Sequence, residues 1–274
     1  MNNTLKTLIV IPARYASQRF PGKPLEQING VSMIRRTAKI AEKVVKDDIN
    51  CDYVVATDDI RIKKHCDNYG VNCLMTSKSH SSGSDRILEA CMISEKIKNI
   101  EYSFVINLQG DSPFTPPLHI KIIIDELQNG AKVATPIINL SWRDLEKLRE
   151  RKSVTPFSGT TVIKDNNNNA LWFSKNIIPA IRNEDDLKKA SIYSPVYQHV
   201  GLYGYNKEAL KTFTKLQTSN YEKFEGLEQL RLVENGINIK CAEVEGSNIH
   251  SSGIDTPNDL RLAENLLLQH GDSF

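Results

Sequence analysis

The strongest constraint on this chain is the alternation, over its first ~125 residues, of short apolar runs with segments of helical period. Thr7 to Ile11 (TLIVI) is almost uninterruptedly apolar, the pattern of a strand buried on both faces. Val31 to Lys46 has helical spacing in Ile34, Ala38, Ile40, Ala41 and Val45. A strand at Tyr53–Thr57 (YVVAT) precedes a helix that Asp58 or Asp59 can cap. Cys73–Thr76 reads as a short strand, Asp85–Lys98 as a helix, and Phe104–Leu108 as a buried strand running into Gln109-Gly110-Asp111. Repeated βα order predicts a mostly parallel sheet with helices on both faces. Ligands of such sheets bind beyond the carboxyl ends of the strands, which singles out the loops 12–24, 77–86 and 109–114.

The second half is less regular. Lys132–Ile138, Thr160–Lys164, Ala170–Ser174 and His199–Tyr205 read as strands, and 142–152, 207–215 and 224–234 as helices. Asn166–Asn169 suits a hairpin tip. A last helix opens at Thr256-Pro257, with Pro at its first position, and runs to about Gln269. With no linker, repeat or low-complexity stretch, the 274 residues read as one α/β domain with an inserted region over approximately 139–215.

A formal net charge of +2 excludes a nucleic-acid-coating surface, so any anion site must be a local cluster. The five cysteines, odd in number and without a CxxC pair, point to reduced structural thiols rather than a disulfide framework or a zinc site. The apolar run near the N-terminus is too short to span a membrane and lacks a signal-peptide layout. The expectation is a cytoplasmic protein.

The loop from Pro12 to Pro24 places Arg14, Arg19 and Lys23 among small residues and two prolines. A triphosphate carries about four negative charges, and departing pyrophosphate needs that charge stabilised. Arginine forks suit phosphate oxygens. A solvated basic loop is the bland alternative, weakened by the position after the first buried strand. The loop is neither a Walker A motif nor a GxGxxG fingerprint, against a P-loop ATPase or a standard NAD fold. Ser81-Ser82-Gly83-Ser84-Asp85-Arg86 offers hydroxyls, N–H groups and a cation at a helix start, although Ser-Ser-Gly is also an ordinary turn. Asp111, ending a buried strand beside Gly110, is placed to hold Mg²⁺ against a phosphate. Asp255 precedes the last helix, where it could be a second magnesium ligand or simply the N-cap.

These residues together resemble the 3-deoxy-manno-octulosonate cytidylyltransferases. The matching stretches are IPARYASQRFPGKPL (11–25), ATDD (56–59), SGSDR (82–86), NLQGDSP (107–113), HVGLYGY (199–205), LEQLR (227–231) and GIDTPNDL (253–260). The resemblance implies a Rossmann-like nucleotidyltransferase fold with an inserted dimerisation region, and a homodimer. It implies transfer of CMP from CTP to the anomeric hydroxyl of Kdo or a close variant such as 8-amino-Kdo, for lipopolysaccharide or surface-polysaccharide synthesis. Arg14, Arg19 and Lys23 would grip the CTP phosphates, with Ser82, Ser84 and Arg86 near cytosine and ribose. Gln109 would touch nucleotide or sugar, Asp111 and Asp255 would bind magnesium, and His199, Tyr205, Glu228 and Gln229 would line the pocket of the acidic sugar. Activation of a sialic-acid-like sugar, or a non-catalytic nucleotide-binding protein on the same fold, are the alternatives.

Three departures fall on the sugar side. Ser158-Gly159-Thr160-Thr161-Val162-Ile163 stands where the family has Asn-x-Val-Lys-Val-Val, Phe173-Ser174-Lys175 replaces Phe-Ser-Arg, and QGDSP replaces QGDEP. Lysine is a point charge and cannot reproduce a bidentate arginine contact. His65, His119 and His270 fall at helical, solvent-facing positions, His80 and His250 in loops near the candidate site, and Trp142 and Trp172 read as packing residues.

Overall fold

The structure is a computed structural model that describes residues 5–16, 20–80, 82–246, 253–254 and 256–271. Strand β1 (Thr7–Ala13) alternates its side chains between two apolar layers. Ile9 and Ile11 pack on one side with Ile34 and Ala38 of helix α1 (Met33–Asp47). Leu8 and Val10 pack on the other with Ile87 and Ala90 of helix α3 (Gly83–Lys98). All four strand residues are buried, each worth roughly 1.5–3 kcal/mol of transfer free energy. This explains why TLIVI lacks polar alternation.

Strand β4 (Cys51–Thr57) lies parallel to β1 on one side, Cys51 opposite Thr7 and Thr57 opposite Ala13. Strand β6 (Phe104–Leu108) lies parallel on the other side, and β5 (Cys73–Met75) extends the sheet beyond β4. Past β6, strand β11 (Leu202–Asn206) enters antiparallel and is followed by β7 (Val133–Ser141). The first half of β7 pairs with parallel β12 (Ile239–Glu243) and its second half with antiparallel β10 (Tyr193–His199). Strand β8 (Thr161–Lys164) and edge strand β9 (Ala170–Ser174) complete the sheet. Seven strands (β1, β4, β5, β6, β7, β8, β12) run one way and β9, β10 and β11 the other, so the sheet is mostly parallel.

The excursion between β7 and β11 holds helix α5 (Trp142–Val154), β8, β9, helix α6 (Glu184–Ala190) and β10, and its strands continue the main sheet. Helix α2 (Ile60–Asn68) is capped by Asp59, whose carboxylate accepts from Arg61 N–H at 2.9 Å. Helix α4 (Pro117–Gln128) covers the face opposite helix α7 (Lys207–Phe213). A small hairpin, β2 (Gln27–Ile28) and β3 (Val31–Ser32), turns through Asn29 and Gly30, both at positive φ (49° and 77°). That is the Asn-Gly geometry whose twist matches paired strands.

Several readings from the sequence are revised. His199–Tyr205 is two strands, because the chain reverses at Val200-Gly201, with Leu202 N–H bonded to Val200 O at 2.7 Å. The stretch 224–234 is broken at Gly226 (φ 64°), giving helices α8 (Asn220–Glu225) and α9 (Leu230–Glu234). His119 does not face solvent: it is 3% exposed under α4, its Nε2 3.1 Å from Glu245 O. His65 is half-buried, its Nε2 2.7 Å from Ser32 Oγ. Asn166–Asn169 does form the β8–β9 turn, Asn168 taking the left-handed conformation. Trp142 is buried, donating from Nε1 to Ser191 O at 2.9 Å. The His270 side chain and His250 lie outside the described residues. Among the described residues no helix is long and apolar enough to cross a membrane.

Gly204 of β11 lies directly beneath α4. A Cβ there would stand 2.4 Å from Ile123 Cγ2 and 2.9 Å from Leu127 Cδ1. Gly204→Ala is expected to cost about 1–3 kcal/mol of overpacking in urea unfolding; a midpoint indistinguishable from wild type would contradict this packing.

Candidate active site

The loops after β1, β5 and β6 meet at one end of the sheet. The loop after β1 is closed by a hydrogen bond from Gly22 N–H to Tyr15 O (2.9 Å). Gly22 is left-handed (φ 75°) and lies so near the Tyr15 ring that a Cβ would come within 3.2 Å of it. The Arg61 guanidinium covers the same ring, 3.3 Å from its centroid, so the loop is pinned from α2 as well. Beyond Gly22, Lys23 opens a single 3-10 turn over buried Pro24 and points its ammonium at Asp111 Oδ2, 2.7 Å away. Arg14 reaches the second loop, donating from Nη2 to His80 O at 3.1 Å. His80 Nε2 in turn lies 2.5 Å from Glu89 Oε2.

Asp111 follows from close backbone approach. At Gly110 a Cβ would collide with Pro12 O at 2.6 Å, so only glycine lets the β6 loop lie on the β1 loop. Thr37 of α1 donates to Gly110 O at 3.3 Å. On the far side, Ile254 N–H donates to Asp111 O (2.8 Å), and Gly253 is near enough that a Cβ would stand 3.0 Å from Asp111 Oδ1. The chain immediately before position 255 therefore packs on Asp111. Asp255 itself lies outside the described residues, as does Arg19. Helix α10 (Pro257–His270) is capped by Thr256, which forms a reciprocal capping box with Asp259, so Thr256 rather than Asp255 is the N-cap.

Ser82 caps α3 in a box with Asp85 and brings Ser84 and Arg86 to the same end of the sheet. Arg86 is fully buried, donating to Thr76 Oγ1 (2.6 Å) and Asp58 Oδ2 (2.7 Å). Arg86 ties the ends of β4 and β5 to the first turn of α3, with its Nε left without a partner. Its desolvation is tolerable only with Thr76 and Asp58 as partners.

His199 caps the other side of the site, its Nε2 2.9 Å from Thr135 Oγ1. It belongs to a row of rings, Phe173–His199–Tyr203–Tyr205–Phe213, with centroids 5.2, 5.2, 6.0 and 6.0 Å apart. Burial, reinforced by the Lys175 charge, holds the imidazole down to about 3, so it is neutral. Tyr205 is 2% exposed and stacked on Phe213, so it supports the row from within the core. The tyrosine hydroxyl left without a protein partner belongs to Tyr203, buried beside it. Asn107 Oδ1, Asn139 Oδ1 and Gln229 Nε2 are likewise buried without a partner, while Glu228 faces Arg231 across 3.8 Å. Burial pushes the Glu228 carboxyl up. Buried polar atoms are nearly always paired in native proteins, so these atoms are suited to a hydroxyl-rich ligand. Gln109 is half-buried at the end of β6 and turns the chain, its carbonyl accepting from Ser112 N–H at 3.0 Å.

Thr135, Asn107, Asn139 and Tyr203 were not singled out from sequence, and Asp58 was read only as a helix cap. A polar residue within an apolar strand, as Asn107 in FVINL, was the signal available.

A doubly wound sheet with a basic loop after its first strand, facing a carboxylate at the end of a parallel neighbour, defines a nucleotide-handling α/β enzyme. The family model described as cytidylyltransferase matches residues 8–239. A 3-deoxy-manno-octulosonate cytidylyltransferase of Thermodesulfovibrio yellowstonii is 40% identical over 95% of this chain and 98% of its own length. An 8-amino-3,8-dideoxy-manno-octulosonate cytidylyltransferase of Shewanella pealeana is 37% identical over 95% of this chain and 98% of its own. The solved structure of CMP:2-keto-3-deoxy-manno-octonic acid synthetase complexed with CTP aligns with TM-score 0.78 and 33% identity, over 96% of this chain and 99% of that one. The chain belongs to the 3-deoxy-manno-octulosonate cytidylyltransferase family.

Two measurements probe this geometry. Gly110→Ala forces the β1 and β6 loops apart and is expected to lower kcat/KM by at least ~10²-fold, since a displacement of about 1 Å suffices for such a loss; activity within threefold of wild type would show the loops to be compliant. His199 binds a proton in the unfolded chain below about 6.5 but not in the fold until about 3. The unfolded state therefore gains protons first, and stability should fall by about 1 kcal/mol between pH 6.5 and 5.5 from this group. His199→Gln should flatten that part of the urea-unfolding profile, and an unaltered slope would refute a neutral imidazole.

Proposed function

We infer that this enzyme transfers CMP from CTP to the anomeric hydroxyl of 3-deoxy-manno-octulosonate and releases pyrophosphate. The observation that carries the reading is the meeting of Lys23 and Asp111 at 2.7 Å, in a chain 33% identical to a synthetase solved with CTP. The sugar's anomeric oxygen attacks the α-phosphorus, and the bond from that phosphorus to the β-phosphate bridging oxygen breaks. The protein supplies alignment and charge neutralisation. Arg14 and Lys23, with Arg19 from the same loop, face the triphosphate; two unit charges 4 Å apart attract by roughly 4 kcal/mol at an effective dielectric near 20. Ser82 and Ser84 address the nucleoside, and Gln109 the junction of nucleotide and sugar. His199, Tyr203, Glu228 and Gln229 serve the sugar hydroxyls, with Tyr205 and Arg86 fixing their frame.

Asp111 is a hard oxygen donor already held against a cation, Lys23, which suits it to a divalent ion. With Asp255 it would hold magnesium, which neutralises phosphate charge as pyrophosphate departs. The reading extends to a cytoplasmic enzyme of lipopolysaccharide or surface-polysaccharide synthesis, and to a homodimer. The excursion exposes Val154, Phe157 and Ile192, large apolar side chains suited to a subunit interface.

Pyrophosphate release measured with CTP, magnesium and a panel of Kdo, 8-amino-Kdo and sialic acid should be fastest with Kdo. It should require CTP over ATP, GTP or UTP; comparable turnover of all four would sink cytidine specificity. Asp111→Asn is expected to lower turnover by at least ~10²-fold in a protein still folded by circular dichroism. Near-normal CMP-sugar formation by that variant would remove Asp111 from the chemistry.

A further inference from the structure

The backbone of Lys175, at the end of edge strand β9, is gripped from both sides by charged side chains. Its N–H donates to Glu225 Oε2 at 2.8 Å, and its carbonyl accepts from Lys152 Nζ at 2.6 Å. Glu225 comes from α8 and also accepts from Ser174 Oγ at 2.9 Å. Lys152 comes from the last turn of α5, and its ammonium is shared with three further carbonyls: Ser158 O at 2.6 Å, Gly159 O at 3.1 Å and Pro156 O at 3.3 Å. One amine therefore joins the 156–159 loop to β9. Gly159 in that loop is left-handed (φ 66°), as close turning over the amine requires.

A surface lysine has no need of four backbone acceptors, and the residue just past an edge strand does not ordinarily have both of its backbone polar groups fixed by half-buried charges. The arrangement controls where the Lys175 side chain leaves the strand. Phe173 and Lys175 are two residues apart and so leave the strand on one face, and the Phe173 ring meets His199 edge-on at 5.2 Å, which puts Lys175 on the face of the sheet that carries His199; its charge bears on that ring and on Lys152. Burial first, then the Lys175 and Arg151 charges, pull the Lys152 amine down to about 8, while Glu225 opposes them. The fold thus keeps two like charges close together, at a cost in repulsion, beside a neutral imidazole and buried atoms suited to a polyol.

We propose that Lys152 is a positioning residue: with Glu225 it clamps the Lys175 backbone so that the Lys175 ammonium is aimed at the carboxylate of the acidic sugar beside His199. The role rests on the function proposed above. It gives the point charge of lysine a fixed direction, in place of the geometric specificity of an arginine fork.

The test is steady-state kinetics of Lys152→Met, Lys175→Met and the double variant, varying CTP and Kdo separately. Lys152→Met is expected to raise KM for Kdo about tenfold, the scale of one charge-assisted hydrogen bond, with KM for CTP within twofold and kcat within threefold. Because Lys152 acts through Lys175, the double variant should bind Kdo no worse than Lys175→Met alone. An unchanged KM for Kdo, or single effects that multiply in the double variant, would overturn the proposal. So would equal losses toward CTP and Kdo, the mark of a merely structural lysine. Should Lys152→Met fail to fold, Glu225→Gln tests the other half of the clamp and is expected to show the same KM split and the same coupling to Lys175. If wild type forms no CMP-sugar with any ulosonic acid, the functional reading fails and takes this proposal with it; if wild type is active and the split is absent, only the positioning role falls.

Discussion

The site depends on the parallel register of β1 and β6 and on the contact that it forces at their ends. Val10 lies opposite Asn107, and the two strands leave the sheet side by side. Gly110 then lies against Pro12 O at a distance that no side chain would allow. Because the backbones touch, Lys23 can span from one loop to Asp111 on the other. Were the loops held apart by a single methyl group, the cation and the carboxylate would each face water, and their mutual orientation would be set by rotamer entropy rather than by the sheet.

Beyond β6 the sheet changes character. β11 enters antiparallel and carries Tyr203 and Tyr205 on one face, two residues apart, as strand periodicity requires. Their rings link the Ser84–Glu228 side of the site to His199 and Phe173, so the nucleotide and sugar ends share one packed support. Such a support limits how far either end can move independently. It also keeps water from the imidazole, whose neutrality lets Lys175 stand nearby without facing a second full positive charge on the ring.

Much of this was legible from the sequence where local pattern and tertiary environment agree. Thr7–Ile11 and Phe104–Leu108 are buried on both faces, so their apolarity reports both strand and sheet class. The Pro12–Pro24 loop, Ser82 and Asp111 could be placed because they follow directly on such strands. What could not be read depended on long-range packing. His119 sits on a helix whose apolar stripe is wide, and only the position of α4 on the sheet buries it. Arg86 read as a cation near the cytosine and ribose, yet its partners Asp58 and Thr76 come from 28 and 10 residues away in sequence. Tyr205 and Tyr203 are chemically alike, and which one keeps an unpartnered hydroxyl follows from ring stacking that no single-strand pattern encodes. The division of His199–Tyr205 into two strands turns on a reversal at Gly201 that periodicity alone does not show.

The way the cations are held accounts for how a chain of net charge +2 can handle a polyanionic nucleotide and an acidic sugar. Four described cations near the site are oriented in advance by partners from other elements. Lys23 is held by Asp111, Arg14 by the His80 carbonyl, Arg86 by Asp58, and Lys175 through its backbone by Glu225 and Lys152. Burial pulls the Arg151 guanidinium, next to Lys152 on α5, downward, and the charge of Asp259 in the first turn of α10 opposes it. Pre-oriented charge needs little reorganisation when a phosphate develops negative charge, and that is where electrostatic catalysis gains most. The acidic partners also offset the repulsion among clustered cations when no anion is bound. A site built this way draws its field from local geometry, which is why bulk composition carries no trace of it.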